Sequence, residues 1–210
     1  MGERDGMTRR QVIYLTRHGE TVWNRDGRFQ GRRDSPLTAR GEEQARRMGE
    51  ALTQHIHRSE RDDWTIVASP LGRAQHTARI IAGILGLSAA RIESEARLEE
   101  SDIGAWTALD FAEIEACSPG ALDGSTRHDW YFRAPDGETH AAMAERVAAF
   151  LAASASRERL ILVAHGVTGR VLRGLYLGLA SEAALQLEAP QDAMFRLGGG
   201  AVERIDCGGA

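Results

Sequence analysis

Three short apolar runs set out the plan of the chain. Residues 11–16 (QVIYLT), 64–68 (WTIVA) and 160–164 (LILVA) are each too short for a helix, rich in strand-forming residues and bounded by polar or turn-forming sequence. That pattern predicts buried strands. Between them, apolar positions recur at helical spacing. Ala45, Met48 and Leu52 share a face of a predicted helix over 41–54, entered through the stop and N-cap Ser35-Pro36-Leu37-Thr38. Leu71, Ala74, Ala78, Ile81 and Leu85 share a face of a second, which begins just after Ser69-Pro70 and is capped by Gly86. Met143, Val147, Phe150 and Leu151 do the same over 137–153, and a further helix over 167–177 comes directly after the third strand. Residues 91–103 read as extended, and 106–135 as irregular apart from a short helical stretch over 110–116. Residues 193–206 read as an edge hairpin, AMFRL and AVERI split by Gly198-Gly199-Gly200. The alternation predicts an α/β fold, a three-layer α/β/α sandwich with a mainly parallel sheet. It is expected to form one domain over 1–210, with 101–136 a small covering insertion over the carboxyl edge.

Ligands of such sheets bind where strands end at the carboxyl edge. Three strands here end in the most chemical sequences of the chain: Arg17-His18, the stretch from Ser69 to Arg73, and His165. Each end runs into a loop or helix start, whose free backbone N–H groups favour an anion. Two imidazoles at equivalent strand ends suit a phosphoryl group between them. One, neutral, can attack phosphorus, while guanidinium groups neutralise the oxygens. Asn24, one loop away, adds a neutral donor. Metal binding by the two histidines is the alternative, opposed by Arg17 beside His18 and by the lack of a carboxylate at either strand end. A proton donor for the leaving group is available in Glu99, Glu100 and Asp102, and composition does not choose among them.

Composition sharpens this picture by exclusion. All 26 basic residues are Arg; Lys is absent from the 210 residues. Schiff-base chemistry, pyridoxal attachment and a Walker A lysine are therefore excluded. The Arg bias itself reads as base composition. A formal net charge of -4 argues against a nucleic-acid partner. Cys117 and Cys207 stand far apart without metal-ligand spacing, which fits a reducing, cytoplasmic compartment. No apolar run approaches a membrane span, and residues 1–10 are polar, unlike a signal peptide. The initial Met-Gly lacks the Ser or Thr of a myristoylation site, since position 6 is Gly6.

The string Arg17-His18-Gly19-Glu20-Thr21 with Trp23-Asn24 resembles the signature of the histidine phosphatase superfamily, the phosphoglycerate mutase-like proteins. Further blocks agree in order: Gln30-Gly31 with Asp34, Pro36-Leu37-Thr38 and Gly41; Ser69-Pro70-Leu71 with Arg73-Ala74 and Thr77-Ala78; Leu98-Glu99-Glu100 with Gly104 and Trp106; Gly137-Glu138-Thr139; and His165-Gly166. The resemblance implies that His18 becomes a phosphohistidine, its tautomer held by a backbone carbonyl of the Arg-His-Gly turn. It implies a phosphate pocket of Arg17, Arg73 and His165, with Asn24, Gln30 and Gly31 as further substrate contacts. It makes Glu100, four residues before Gly104, the acid, and Glu99 its solvated neighbour. The family's other branch takes its acid from an Asp after the second histidine, and Gly166-Val167 stand there instead. The implied activity is a phosphomonoester hydrolase acting on a small phosphorylated metabolite and releasing inorganic phosphate, with neither metal nor cofactor. A cofactor-dependent mutase is the alternative, weakened by Ser101-Asp102-Ile103 after Glu100, where mutases carry a Tyr, and by the missing Lys. A non-catalytic phospho-ligand binder is the third, and none of its expected losses is present. Arg127, His128, Trp130, Tyr131 and Arg133 in the covering segment are candidate selectors of the substrate, ordinary packing being the competing role for each. A strand near 193–197 is a candidate dimer edge.

Overall fold

The computed structural model describes residues 11–208. The expectations for residues 1–10 lie outside that range. The strands are β1 (Val12–Arg17), β2 (Thr65–Ala68), β3 (Glu93–Ser94), β4 (Arg159–Ala164), β5 (Ala193–Gly198) and β6 (Ala201–Asp206). The helices are α1 (Val22–Arg25), α2 (Ala39–His55), α3 (Gly72–Leu85), α4 (Phe111–Cys117), α5 (His140–Ala153), α6 (Gly166–Leu177) and α7 (Ser181–Leu185). One six-stranded sheet runs in the order β3-β2-β4-β1-β5-β6. β3, β2, β4 and β1 are parallel, and β5 and β6 close it antiparallel.

Side chains alternate across the pleat, and each face finds its own helices. Tyr14, Ile66, Ala68, Ile161 and Val163 pack with Met48 and Leu52 of α2 and with Ala78, Ile81 and Leu85 of α3. Ile13, Leu15, Val67, Leu160 and Leu162 pack with Val147 and Phe150 of α5 and with Val171 and Leu172 of α6. The expected α/β three-layer sandwich is therefore present. A third cluster, built on Ile103, Trp106, Ile114, Trp130 and Tyr131, gathers the segment 101–136 around Phe29. Backbone bonds join it to the β1–α2 connection: Phe29 N donates to Leu109 O and Ala108 N to Phe29 O. Among the described residues no helix is long and apolar enough to cross a membrane.

Two local expectations need correction. Within residues 91–103 the only paired strand is β3, and the expected extended run is interrupted by a 3-10 turn over 96–98. The strand near 193–197 is not an edge, since β5 bonds β1 on one side and β6 on the other. β6 and β3 are the edges.

The carboxyl edge is organised by a backbone-to-backbone contact. A Cβ on Gly19 would lie 2.1 Å from Gly41 O, and one on Gly41 would lie 2.0 Å from Glu20 O. Only glycine at both positions lets the turn after β1 seat on the first turn of α2. The seat is fastened by Thr38, which caps α2 and donates to Glu20 Oε1 (2.8 Å), and by Gln44, which accepts from Glu20 N (2.8 Å). Gly41→Ala is expected to destabilise the fold by about 1–3 kcal/mol or more, a fall of several degrees in thermal midpoint. Gly83→Ala, at a helical site with nothing within 4 Å, should be neutral or stabilising in the same thermal melt.

Candidate active site

The three predicted strand ends converge. β1 delivers Arg17 and His18, β4 delivers His165, and the first turn of α3 delivers Arg73. His18 and His165 stand with ring centroids 5.2 Å apart and are 3% and 1% exposed. A cavity of about 130 Å³ opens beside them, lined by Arg17, His18, Arg73 and Glu100 at its inner end. That volume is small for a ligand cleft and suits a phosphoryl group with a small alcohol half. Asn24, Gln30, Gly31 and Ser101 also border it. His165 lies behind, against His18, and with Arg17 borders a crevice of about 10 Å³.

His18 Nδ1 lies 2.7 Å from Gly19 O. A carbonyl only accepts, so Nδ1 carries the proton and Nε2 keeps its lone pair. Arg73 Nε donates to that Nε2 at 3.2 Å. Burial, then the charges of Arg73 and Arg17, push the His18 pKa well below the ordinary histidine value, against the Gly19 bond. Burial, then Arg73, His18 and Arg17, do the same to His165. Both shifts favour the neutral ring.

Arg73 is the hub of the inner end. Nη1 donates to Arg33 O (2.6 Å) and Asp34 Oδ1 (2.9 Å), and Nη2 to Gly31 O (2.8 Å). Its Nε–H, now aimed at His18, is the donor a phosphoryl oxygen on that nitrogen would take over. Arg17 donates Nη1 to Ala189 O (2.7 Å), while its Nε is buried without a partner. Burial lowers the pKa of both guanidiniums, opposed by Glu100, and neither loses its charge. Nine buried side-chain polar atoms lack a partner among the described residues. Five belong here: Arg17 Nε, Gln30 Oε1, Ser101 Oγ and both nitrogens of His165. Such atoms normally find partners, and of the five the Arg17 Nε–H is the charged donor that suits an oxyanion. Among the described residues no group of three or more His, Cys, Asp or Glu is placed to hold a metal.

Glu100 is the carboxylate of the three that reaches the cavity. Glu99 is not simply solvated: it pairs with Arg32 (3.2 Å), and Asp102 accepts from Gly104 N (2.9 Å). The Glu100 oxygens accept from Val167 N (3.1 Å), Thr168 N (3.2 Å) and Ser101 N (3.1 Å). Two first-turn amides of α6, those of Val167 and Thr168, are thus taken by Glu100. Those of α3 are taken by Asp34, from Gly72 N (2.5 Å) and Arg73 N (3.3 Å). The expectation that helix N–H groups stand free for an anion is corrected at these four amides, which protein carboxylates already cap. Thr168 Oγ1 lies 2.7 Å from Glu99 O and 3.2 Å from Glu100 Oε1. Its single proton can serve one at a time. Donated to Glu99, it leaves a lone pair facing Glu100, so this hydroxyl accommodates Glu100 with or without a proton.

The sequence missed the second tier. Arg146 grips both oxygens of the buried Glu138 (2.6 and 2.8 Å) and donates to Arg97 O (2.7 Å), fixing the backbone that carries Glu100. Three consecutive carbonyls each take one guanidinium: Leu187 O from Arg170 (2.7 Å), Glu188 O from Arg173, and Ala189 O from Arg17. Gln191 Nε2 donates to His18 O (3.1 Å) and Asn24 Oδ1 (3.2 Å). Asn24 Oδ1 also accepts from Thr21 N (3.2 Å), which leaves its amide nitrogen for the cavity. Glu138 stands in the Gly137-Glu138-Thr139 block, but nothing in its spacing points to Arg146. Of the candidate selectors, Trp130 and Tyr131 line the cavity. Arg127, His128 and Arg133 do not, because Arg133 is spent on Asp123 O and Gly124 O (2.6 and 2.9 Å) and Arg127 donates to His128 (2.9 Å).

Fold and site together describe an α/β protein whose sheet edge is built to receive an oxyanion on histidine and arginine. The chain belongs to the histidine phosphatase superfamily (branch 1), whose family profile matches residues 13–198, and is an enzyme of phosphatase or mutase type. A probable phosphoglycerate mutase GpmB of Citrobacter koseri is 38% identical over 190 residues, 83% of this chain and 79% of that one. The solved structure of Bacillus stearothermophilus YhfR has a TM-score of 0.75 at 28% identity, covering 93% of this chain and 96% of that one. Mycobacterial glucosyl-3-phosphoglycerate phosphatase Rv2419c, in complex with VO3, has a TM-score of 0.69 at 28% identity, covering 93% and 97%.

Arg73→Lys offers one ammonium for four acceptors and should lower turnover about 10–100-fold, read by steady-state phosphate release. A second expectation concerns pH. Both imidazoles have folded pKa values below the unfolded value, so the unfolded chain binds more protons in acid. Stability is full above the ordinary histidine pKa of about 6.5 and falls as pH drops below it. Thermal midpoints in phosphate-free buffer should drop from pH 7.5 to 5.5, and His165→Asn should flatten the slope.

Proposed function

We propose that the protein is a phosphomonoester hydrolase that acts through a phosphohistidine on a small phosphorylated metabolite. The observation that carries this is the His18 geometry: Nδ1–H pinned on Gly19 O, with the Nε2 lone pair at the inner end of the cavity beside Arg73. In the first half-reaction Nε2 attacks phosphorus, the P–O bond to the alcohol breaks, and Glu100 gives its proton to the departing oxygen. In the second, Glu100 takes a proton from water, the hydroxide attacks phosphorus, and the P–N bond breaks to release inorganic phosphate. Arg17 and Arg73 neutralise the oxygens throughout, and His165 is the neighbour able to donate to one of them once protonated.

Hydrolysis is favoured over transfer by this chain's own residues. A mutase must retain the phosphoryl group and hold a second anion. No lysine exists, and Arg28, the further guanidinium on the cavity wall, is bound by Glu113. The mutase reading keeps the support of the relatives named for it, of which the protein from Citrobacter koseri is one. A small metabolite suits the size of the cavity. The two cysteines are unpaired, in keeping with a reducing cytoplasm.

Rapid acid or base quenching of wild-type enzyme mixed with labelled para-nitrophenyl phosphate should trap a phosphohistidine, and His18→Ala should abolish both the label and turnover. Steady phosphate release without added metal or bisphosphoglycerate is expected. No trapped label on the wild type would sink the mechanism.

A further inference from the structure

Which way round a side-chain amide sits decides whether it gives a hydrogen bond or takes one. At an anion site the difference is large: an N–H attracts a phosphoryl oxygen, and a carbonyl oxygen in the same place repels it. Asn24 borders the cavity together with Arg17, His18 and Arg73, so the sense of its amide matters there. Two backbone groups of opposite polarity settle it.

The first is Thr21 N–H, which donates to Asn24 Oδ1 at 3.2 Å. Thr21 is fully buried and is the N-cap of α1, where its hydroxyl accepts from Asn24 N at 3.1 Å. The second is His18 O, a carbonyl that only accepts. It takes Gln191 Nε2 at 3.1 Å, and that contact fixes the sense of the Gln191 amide. The same Nε2 donates its other hydrogen to Asn24 Oδ1 at 3.2 Å. Polarity thus runs unbroken from the carbonyl of His18, through Gln191, to the oxygen of Asn24. With a donor on each lone pair of Oδ1, the end of Asn24 left for the cavity is Nδ2. One neutral hydrogen bond is a weak hold on a side chain, and Gln191 supplies the second.

Gln191 is well placed to act as a fixed point. It lies on the connector between α7 and β5, directly after Pro190, whose ring locks its own φ, and two residues after Ala189, whose carbonyl takes Arg17 Nη1 at 2.7 Å. Gln191 itself is not among the residues lining the cavity.

We infer that Gln191 is a positioning residue of the active site, which holds Asn24 in the donor sense so that a neutral N–H faces the phosphoryl oxygens. The assignment rests on the hydrolase reading above for what enters the cavity, and adds to it a residue that acts through another.

A double-variant cycle tests it. Gln191→Met keeps the length of glutamine and removes the donor; kcat/KM for phosphate release from para-nitrophenyl phosphate should fall about tenfold, the order of one lost hydrogen bond. Asn24→Ala should cost at least as much, and adding Gln191→Met to it should change kcat/KM by no more than about twofold. A tie that merely steadied the fold would instead cost the same in both backgrounds. Gln191→Glu keeps the shape but offers only acceptors to His18 O and Asn24 Oδ1, and should lose more than Gln191→Met. The same cycle on the dissociation constant of inorganic phosphate, measured by calorimetry, needs no turnover. It reads the positioning claim separately from the mechanism: coupling in phosphate binding with no trapped phosphohistidine rejects the hydrolase reading alone. Losses that multiply in the double variant, or wild-type activity and phosphate binding in Gln191→Met or Gln191→Glu, overturn the assignment.

Discussion

Burying positive charge around one point is the constraint on which the rest of this molecule depends. Arg17 and Arg73 are held in low dielectric with His18 and His165, and the anionic counterweights the protein supplies are Glu100 and Asp34. Desolvation favours the neutral imidazole, which is the state a nucleophilic histidine needs. The same desolvation makes an arriving oxyanion worth more than it would be in water. Stability and ligand affinity are thus set against each other at the same atoms, and the surrounding structure holds the arrangement in place. Gly19 on Gly41 fixes the turn that carries His18, Asp34 and two carbonyls fix Arg73, and the pair Arg146–Glu138 fixes the segment that carries Glu100.

Much of this was legible in the sequence, and for identifiable reasons. A strand buried on both faces is a run of apolar residues, so β1, β2 and β4 announce themselves, and the rule that ligands sit at carboxyl ends assigns an address to the residues just past each strand. Arg17, His18, Arg73 and His165 are found that way. Choosing Glu100 over Glu99 and Asp102 needed the family resemblance, because three neighbouring carboxylates look alike in one dimension; in space Arg32 holds Glu99, Gly104 N holds Asp102, and Glu100 turns to α6. Legibility ends where partners are long-range and polar. Thr168 under Glu100, Arg146 on Glu138 and Gln191 on His18 leave no periodicity. Four helix amides that local pattern leaves free are capped by carboxylates from far along the chain. β3 was hidden for the opposite reason, since two residues on a sheet edge carry no pattern.

The segment 101–136 shows how a site can be fixed on one side and open on the other. Glu100, just before it, is bound to α6, and its own Gly104 lies against the backbone near Pro135, where a Cβ would stand 2.0 Å from Pro135 O. Its outer residues are aromatic, joined ring to ring rather than by directional bonds, and rings can be exchanged for other apolar groups at modest cost.

The three carbonyls of residues 187–189 carry a consequence for how such a site can drift. Arg170, Arg173 and Arg17 grip the main chain there and not its side chains. Every amino acid has the same carbonyl, so the letters at these three positions are nearly invisible to the active site as long as the path of the chain is kept. A stretch that holds a buried arginine of the cavity in place can then wander in sequence while its geometry stands still, and comparison of sequences alone would overlook it.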